Sequence, residues 1–272
     1  MDVGEKYRII TTQIEKNIYR IREIGDTDVD AYLVCGSERS VMIDGLCDSE
    51  GLYDLVRKLT DKPVFMLVTH GHCDHAGRGM REFMEAGCDI YISPADLYML
   101  EENYGAEAGK LHELKDGMRF DLGDTSLSVM AMPGHTGGSM LVFMEKEKIM
   151  FSSDAVGSGN FWMQLRESTS LADYLQEVHK LIAFLSSYDS VKIYPGHSWQ
   201  IVPYRDNKQD YLDLDYVKEL EALTEQIIAG EKSGVKVEYP MEEELKGIDT
   251  YCVSGKCIRE YCYDREHVHE KE

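Results

Sequence analysis

The segment His70-Gly71-His72-Cys73-Asp74-His75 carries four potential metal ligands within six residues. Two imidazoles at positions i and i+2 of an extended segment can converge on one ion, because alternate side chains point to the same face. Asp74 and His75 follow where the chain is expected to turn into a helix, so they point to a different spot nearby. Imidazole nitrogen and carboxylate oxygen are ligands that zinc favours. The spacing therefore predicts a metal site.

Further potential ligands stand where later strands are predicted to end. There are three of them: His135, Asp154 and His197. Strand ends are rigid, and the loops beyond them are where folds place function. These residues are therefore candidates to complete the site. The other histidines are interpreted as structural or surface residues: His112, His179, His267 and His269.

The motifs around these ligands resemble those of the metallo-β-lactamase superfamily. Thr69–His75 is similar to the family signature H-x-H-x-D-H, and Pro133–Ser139 resembles its G-H-T-x-G-S motif. Asp154 follows the next strand, where the family carries a bridging aspartate, and Tyr194–His197 resembles the final G-H motif. Asp44, at the end of an early predicted strand, matches a family aspartate that supports the site without binding metal. Five motifs in the family order make the resemblance specific for the superfamily.

The resemblance covers residues 15–200 and implies a centre of two divalent metal ions, zinc in the first place, with iron or manganese as alternatives. The first ion would be bound by three histidines: His70, His72 and His135. The second would be bound by one aspartate and two histidines: Asp74, His75 and His197. Asp154 would bridge the two ions.

Such a centre predicts hydrolytic chemistry. Two divalent ions a few ångströms apart lower the pKa of a shared water towards neutrality, which gives a bridging hydroxide nucleophile. Asp74 is the candidate catalytic residue, because its carboxylate can accept a hydrogen bond from that hydroxide and orient it. Each ligating imidazole needs an acceptor for its other ring nitrogen, and Asp44 is a candidate for that role.

The resemblance alone does not select the bond that is cut. We expect a hydrolase of a small ester, thioester, lactone or β-lactam-like amide. A mononuclear-iron oxidoreductase similar to persulfide dioxygenases is one alternative, and the complete second set of ligands argues against it. A phosphodiesterase is another, and the acidic surface argues against it. A non-catalytic binding module would normally have lost ligands, and the sequence keeps them all.

Aromatic residues after Asp154 are candidates for the substrate pocket. Phe161, Trp162 and Met163 follow the glycine-rich Ala155–Gly159, and pockets are mostly apolar. The alternative is a loop anchored by burying two aromatic side chains. Related lactonases place a tyrosine shortly after the bridging aspartate, and Tyr204 is a candidate for that role here.

Strands interleaved with helices predict an α/β architecture, and the resemblance implies the four-layer αββα sandwich. Helices are predicted over 49–59, 80–86, 170–185 and 211–229. We expect one domain over residues 1–240. Residues 241–272 would form a hairpin-like tail that packs on this domain, with Gly255 in its turn. A metal site in this tail is not expected, because Cys257 and Cys262 would face opposite sides of a strand.

Composition narrows the partners. The 272 residues carry a net charge of -21, which disfavours nucleic acid because phosphates are bound by Lys and Arg. No apolar run is long enough to span a bilayer, and the start of the chain does not resemble a secretory signal. The seven scattered cysteines are interpreted as reduced thiols of a cytoplasmic protein. We therefore expect a small-molecule substrate and no membrane partner, and the oligomeric state stays open.

Overall fold

The computed structural model describes residues 8–25, 28–104, 111–201, 209–238, 245 and 248–269. The chain divides into two compact units that alternate along the sequence. Unit 1 comprises Met1–Ala131 and Val142–Glu147, and unit 2 comprises Met132–Leu141 and Lys148–Glu272. Each unit contributes part of the predicted ligand set, so each is described in turn.

Unit 1 is built on a seven-stranded sheet whose strands lie side by side in chain order. The strands are β1 (Arg8–Glu15), β2 (Ile18–Ile24), β3 (Asp30–Cys35), β4 (Ser40–Ile43), β5 (Val64–Leu67), β6 (Ile90–Ile92) and β7 (His112–Glu113). Strands β1 to β4 form an antiparallel meander, and β4 to β7 run parallel. Parallel neighbours need crossover connections, and these contain α1 (Leu52–Leu59), α2 (Arg78–Glu85) and α3 (Leu97–Tyr104).

Helices α1 and α2 bury their apolar faces in the core of unit 1. Leu52 and Val56 of α1 and Phe83 of α2 are fully buried, together with Met66 of β5. Helix α2 also comes very close to the loop after β4. A Cβ atom at Gly79 would clash with the carbonyl oxygen of Gly45, so a residue with a side chain would push the helix away from this loop.

The other strands of unit 1 include an antiparallel pair, β8 (Arg119–Asp121) and β9 (Ser126–Ala131). Strand β10 (Met140–Met144) is divided between the two units. All five residues of β10 are buried, as expected of an apolar strand covered on both faces.

Unit 2 contains a parallel pair of strands and a separate four-stranded sheet. Strand β11 (Ile149–Ser153) pairs with β13 (Lys192–Pro195). The four-stranded sheet has the order β12-β16-β15-β14. Its strands are β12 (Asn160–Met163), β14 (Val235–Lys236), β15 (Thr250–Val253) and β16 (Glu260–Asp264). Helices α4 (Leu171–Leu185) and α5 (Leu214–Ile228) pack against each other in the same unit.

In the tail, β15 pairs antiparallel with β16 and forms a hairpin. Its cysteines differ from the prediction. Cys252 and Cys262 lie directly opposite each other and form a disulfide, so the expectation of seven reduced thiols is wrong for these two. Pairing across the hairpin brings Cys252 to Cys262, and spacing along a single strand does not record such a neighbour. The other five cysteines, all within the described ranges, form no disulfide.

Among the described residues, no helix combines the length and the hydropathy that crossing a bilayer requires.

Candidate metal centre

The loop after β5 gathers the candidate ligands of unit 1. The rings of His70 and His72 meet edge to face with centroids 4.8 Å apart, and the ring of His75 lies 4.4 Å from that of His70. His70 and His75 are buried, whereas His72 and Asp74 are partly exposed. The Nε2 atom of His75 lies 3.6 Å from a carboxylate oxygen of Asp74. The structure thus brings the four residues of this run together.

Asp44 lies at the end of β4, directly beside the start of this loop. Ile43 of β4 is the register partner of Leu67 of β5, so the next residues of both strands enter the same region. The buried carboxylate of Asp44 accepts three hydrogen bonds. Two come from Thr69, from the backbone N–H (2.8 Å) and the hydroxyl (2.9 Å), and the third comes from Nδ1 of His75 (3.0 Å).

These hydrogen bonds determine which ring nitrogen of His75 and of His70 carries the proton. A carboxylate oxygen accepts, so Nδ1 of His75 carries its proton and Nε2 keeps its lone pair. The single hydroxyl proton of Thr69 is donated to Asp44, so towards Nδ1 of His70, 3.2 Å away, the hydroxyl accepts. His70 then also presents an unprotonated Nε2. Asp44 thereby sets the tautomers of two histidines, one directly and one through Thr69.

The backbone at Asp44 is strained. Its φ angle is 66°, in the left-handed region that non-glycine residues rarely adopt. Ser153, just before Asp154, has a φ of 46°. Such conformations cost about 1–3 kcal/mol each and cluster at functional sites. Both strained residues stand at the end of a strand that leads into candidate site residues.

Asp96 holds the turn between His70 and His72, and the sequence interpretation missed it. Its carboxylate is fully buried and accepts a hydrogen bond of 2.9 Å from the backbone N–H of Gly71. Asp96 ends a short 3-10 helix after Ser93. Its contact spans 25 residues of sequence, so no local spacing could have indicated it.

Cys73, in the middle of the same run, contacts the thiol of Cys47. A hydrogen bond to Cys73 raises the pKa of Cys47, and burial raises it further. Cys47 is therefore a protonated thiol at neutral pH, and the sequence interpretation gave this pair no role.

Unit 2 holds the three remaining candidate ligands. Nε2 of His197 lies 3.2 Å from Oδ2 of Asp154, and Nε2 of His135 lies 3.8 Å from the same oxygen. Nδ1 of His135 donates to the backbone carbonyl of Trp162 at 2.8 Å. A carbonyl oxygen only accepts, so His135 also presents an unprotonated Nε2.

The glycine-rich loop after Asp154 is anchored by two buried tyrosines that the sequence interpretation also missed. The hydroxyl of Tyr174, in the first turns of α4, donates to the carbonyl of Ala155 at 2.8 Å. The hydroxyl of Tyr216, near the start of α5, donates to the carbonyl of Val156 and accepts from the N–H of Gly159. Burial raises the pKa of both hydroxyls, so they stay protonated and can donate.

The donor chemistry of these residues fits zinc. Two ligand atoms about 2.0–2.1 Å from a tetrahedral zinc ion lie about 3.3–3.4 Å apart. The imidazole-to-carboxylate separations of 3.6 Å for His75 with Asp74 and 3.2 Å for His197 with Asp154 are close to that value. Three of the histidines direct Nδ1 to a neighbouring acceptor and leave Nε2 for an ion. Ligating histidines use this arrangement.

The predicted pocket residues lie in different environments. Phe161 and Met163 lie on β12 and are buried, and the ring of Phe161 packs between those of Tyr174 and Tyr261 at 5.1 Å from each. These two side chains pack in the core of unit 2, and a role for them in a substrate pocket stays a prediction. Trp162 points the other way and is partly exposed. Tyr204 lies outside the described residues.

Comparison with known proteins gives the family. The family model for the metallo-beta-lactamase superfamily matches residues 24–224. An acyl-coenzyme A thioesterase, MBLAC2 of Gallus gallus, is 26% identical over 202 residues, which cover 61% of this chain and 71% of that protein. An uncharacterized protein of Mycobacterium tuberculosis is 30% identical over 174 residues, 54% of this chain and 76% of that protein.

A solved structure shows the same fold. The metallo-beta-lactamase FIM-1 from Pseudomonas aeruginosa, in its mono-zinc form, superposes with a TM-score of 0.63 at 17% identity, covering 82% of this chain and 98% of that one. The predicted α/β fold class, a metallo-β-lactamase sandwich, is thereby confirmed. The chain belongs to the metallo-β-lactamase superfamily. It is accordingly a metal-dependent hydrolase.

Proposed function

We propose that the chain is a dinuclear zinc hydrolase of thioesters or closely related small acyl compounds. The observation that carries the proposal is the orientation of the candidate ligands. His70, His75 and His135 each have Nδ1 beside an acceptor of the chain, which places the ring proton on Nδ1 and keeps Nε2 unprotonated. Ligating histidines typically have the other ring nitrogen held in this way.

The proposed ligands follow the order of the family motifs in the sequence. We propose that His70, His72 and His135 hold one ion and that Asp74, His75 and His197 hold the second. Asp154 is proposed as the bridge. The side chains of Asp74, Asp154 and His197 are 19%, 16% and 12% exposed. A catalytic zinc site keeps an open position, and partial exposure of these three is consistent with that requirement.

The residues of the chain have separate roles in the proposed reaction. Bound zinc would supply a nucleophilic water of lowered pKa and polarise the acyl carbonyl. The carboxylate of the partly exposed Asp74 would accept a hydrogen bond from the attacking water and orient that water towards the acyl carbonyl. Asp44, through Thr69 and His75, would keep the imidazoles in the ligating tautomer. Asp96 would fix the turn that carries His70 and His72.

A thioester is the substrate that the relatives favour. The related chicken protein is named an acyl-coenzyme A thioesterase, and human and bovine proteins of the same name are 27% and 29% identical to this chain. Esters, lactones and β-lactam-like amides share the acyl-transfer chemistry and remain within the proposal. The half-buried Trp162 is the proposed apolar contact for the acyl part.

Elemental analysis combined with a hydrolysis assay tests this function. We expect two zinc ions per chain and loss of the thioester absorbance when short-chain and long-chain acyl-coenzyme A are supplied. His70→Ala should lower the metal content and reduce the rate about 100-fold or more. The matched control is His112→Ala, because the His112 side chain is 51% exposed and belongs to none of the potential ligand groups among the described residues; it should change neither quantity.

Other outcomes would replace the proposal. One iron per chain with consumption of oxygen and a persulfide would indicate the oxidoreductase alternative. Two zinc ions with turnover of phosphodiesters alone would indicate a phosphodiesterase. A protein without bound metal after reconstitution would contradict the metal centre itself.

A further inference from the structure

The hairpin of β15 and β16 carries a second set of metal-ligating side chains. Cys252 and Cys262 are opposite residues with Cα atoms 4.2 Å apart, and they are joined as a disulfide. Glu260 precedes Cys262 by two residues, so both side chains lie on the same face of β16. The ligand atoms of all three residues lie within 4.8 Å of one another. None of them belongs to the proposed hydrolytic centre.

The strand pairing holds this group together whether or not the disulfide is present. Tyr251 and Val253 on either side of Cys252 pair with Tyr263 and Tyr261 across the hairpin. The outer edge of β16 pairs with β12, including Cys262 with Trp162. The backbone positions of the two cysteines are therefore set by hydrogen bonds on both sides of β16. After reduction, the two sulfur atoms remain neighbours on a preformed frame.

We propose that reduction of the Cys252–Cys262 disulfide creates a zinc site formed by the two sulfurs and the carboxylate of Glu260, with water as the fourth ligand. Thiolate and carboxylate are ligands that zinc accepts in tetrahedral coordination. The site is independent of the proposed hydrolytic centre and opens only in reducing conditions. It binds a third ion, in a part of the chain where the sequence predicted no metal site.

The chemistry of the switch balances with a dithiol as the reductant. The dithiol gives two electrons and two protons, the S–S bond of the protein breaks, and the dithiol becomes a cyclic disulfide. Cys252 is partly exposed and Cys262 is fully buried, so the reductant is expected to attack at Cys252. Binding of Zn²⁺ then releases the two thiol protons.

Cobalt(II) is the probe that tests this site in the full-length protein. Co²⁺ replaces Zn²⁺, and sulfur ligation adds an intense charge-transfer absorbance in the near ultraviolet that nitrogen and oxygen ligands lack. The ligands proposed for the hydrolytic centre include no sulfur, so they do not contribute this signal. The protein is reduced with dithiothreitol, desalted without oxygen and titrated with Co²⁺, beside an oxidised sample.

We expect the reduced protein to bind one more equivalent of Co²⁺ than the oxidised protein, with the sulfur absorbance present only after reduction. Cys252→Ser should lose that absorbance, and Glu260→Gln should weaken the binding at least tenfold. Cys257→Ser is the matched control, because it removes a thiol of the same hairpin that is not in the group, and it should keep the signal.

Two results would overturn the proposal. One is a reduced wild-type protein without the extra sulfur-bound equivalent, a comparison that needs no variant to fold. The other is an equal signal in Cys252→Ser, which would assign the absorbance to the remaining thiols. Neither result depends on hydrolase activity, so both are distinct from failure of the proposed function.

Discussion

Replacing Asp44 by asparagine gives the sharpest test of how the candidate centre is organised. The carboxylate accepts on Oδ1 from the N–H of Thr69 and on Oδ2 from both the hydroxyl of Thr69 and Nδ1 of His75. Asparagine has nearly the same shape, but one of its two positions is a donor. If the amide nitrogen takes the Oδ2 position, it meets two donors and both must reverse.

Reversing these two hydrogen bonds would change the protonated nitrogen of the proposed ligands His75 and His70. His75 would move its proton to Nε2, and Thr69 would donate to Nδ1 of His70, which would then be protonated on Nε2 as well. If the amide nitrogen takes the Oδ1 position instead, it faces the buried N–H of Thr69, and an unsatisfied buried donor costs about 1–3 kcal/mol. Either orientation weakens the centre without removing a ligand.

The expected magnitude follows from the role of such acceptors. Loss of the hydrogen-bond partner of a ligating histidine lowers metal affinity about 10–100-fold, which corresponds to about 1.4–2.7 kcal/mol. Competition with a chromophoric chelator measures this affinity, with the hydrolysis rate as a second readout. Asp61→Asn is the matched control, because the side chain of Asp61 is 91% exposed. Wild-type metal affinity in Asp44→Asn would refute the tautomer argument.

Three further predictions concern stability. Phe161→Ala should lower the unfolding free energy by about 3–5 kcal/mol, as expected for a core aromatic. Denaturant titration measures this change. A raised KM with unchanged stability would instead indicate that Phe161 lines the substrate pocket. Burial raises the pKa of Tyr216 and Tyr261, so both keep their protons above about pH 10, where the unfolded chain loses them. The unfolding free energy should therefore fall as pH rises above about 10, and Tyr261→Phe should make that fall smaller; an unchanged pH slope in the variant would contradict this. Reducing the Cys252–Cys262 disulfide in metal-free protein should cost about 2–3 kcal/mol, because it closes a short loop; equal urea midpoints before and after reduction would show that the strand pairing alone holds the hairpin.

Strands and helices with a strong apolar pattern could be predicted from the sequence. The apolar run before Thr69 became β5, and the amphipathic stretch after Ser170 became α4. Strand β1 was missed, because most of its side chains are exposed and it has no buried face to impose alternation. For the residues of β12, the sequence predicts a pocket wall or an anchored loop. It is a strand because β16 pairs with it, and a partner about a hundred residues away leaves no local signal.

The residues of the candidate site also differ in whether the sequence indicates them. Its proposed ligands lie in short motifs at strand ends, where residue type and spacing indicate them directly. Asp44 could also be predicted from the sequence, because it follows the end of a strand. Asp96, Tyr174 and Tyr216 could not be predicted, since each forms a hydrogen bond to a loop that is distant in sequence. A hydrogen bond that orients a loop depends on where the fold brings two segments together, and a single sequence does not record that.

The pairing of β12 with β16 bears on how the chain can be shortened. A chain ending at residue 240 would keep every proposed ligand, and the sequence suggested that boundary for the main domain. It would nevertheless remove β16, which is the one strand that pairs with β12 among the described residues. The backbone groups of Phe161 and Trp162 would then face outward as an open edge, which is a template for aggregation. The carbonyl of Trp162, which accepts a hydrogen bond from Nδ1 of His135, lies on that same strand. Deleting the tail would therefore weaken metal binding and solubility together, although the tail contributes no ligand to the hydrolytic centre.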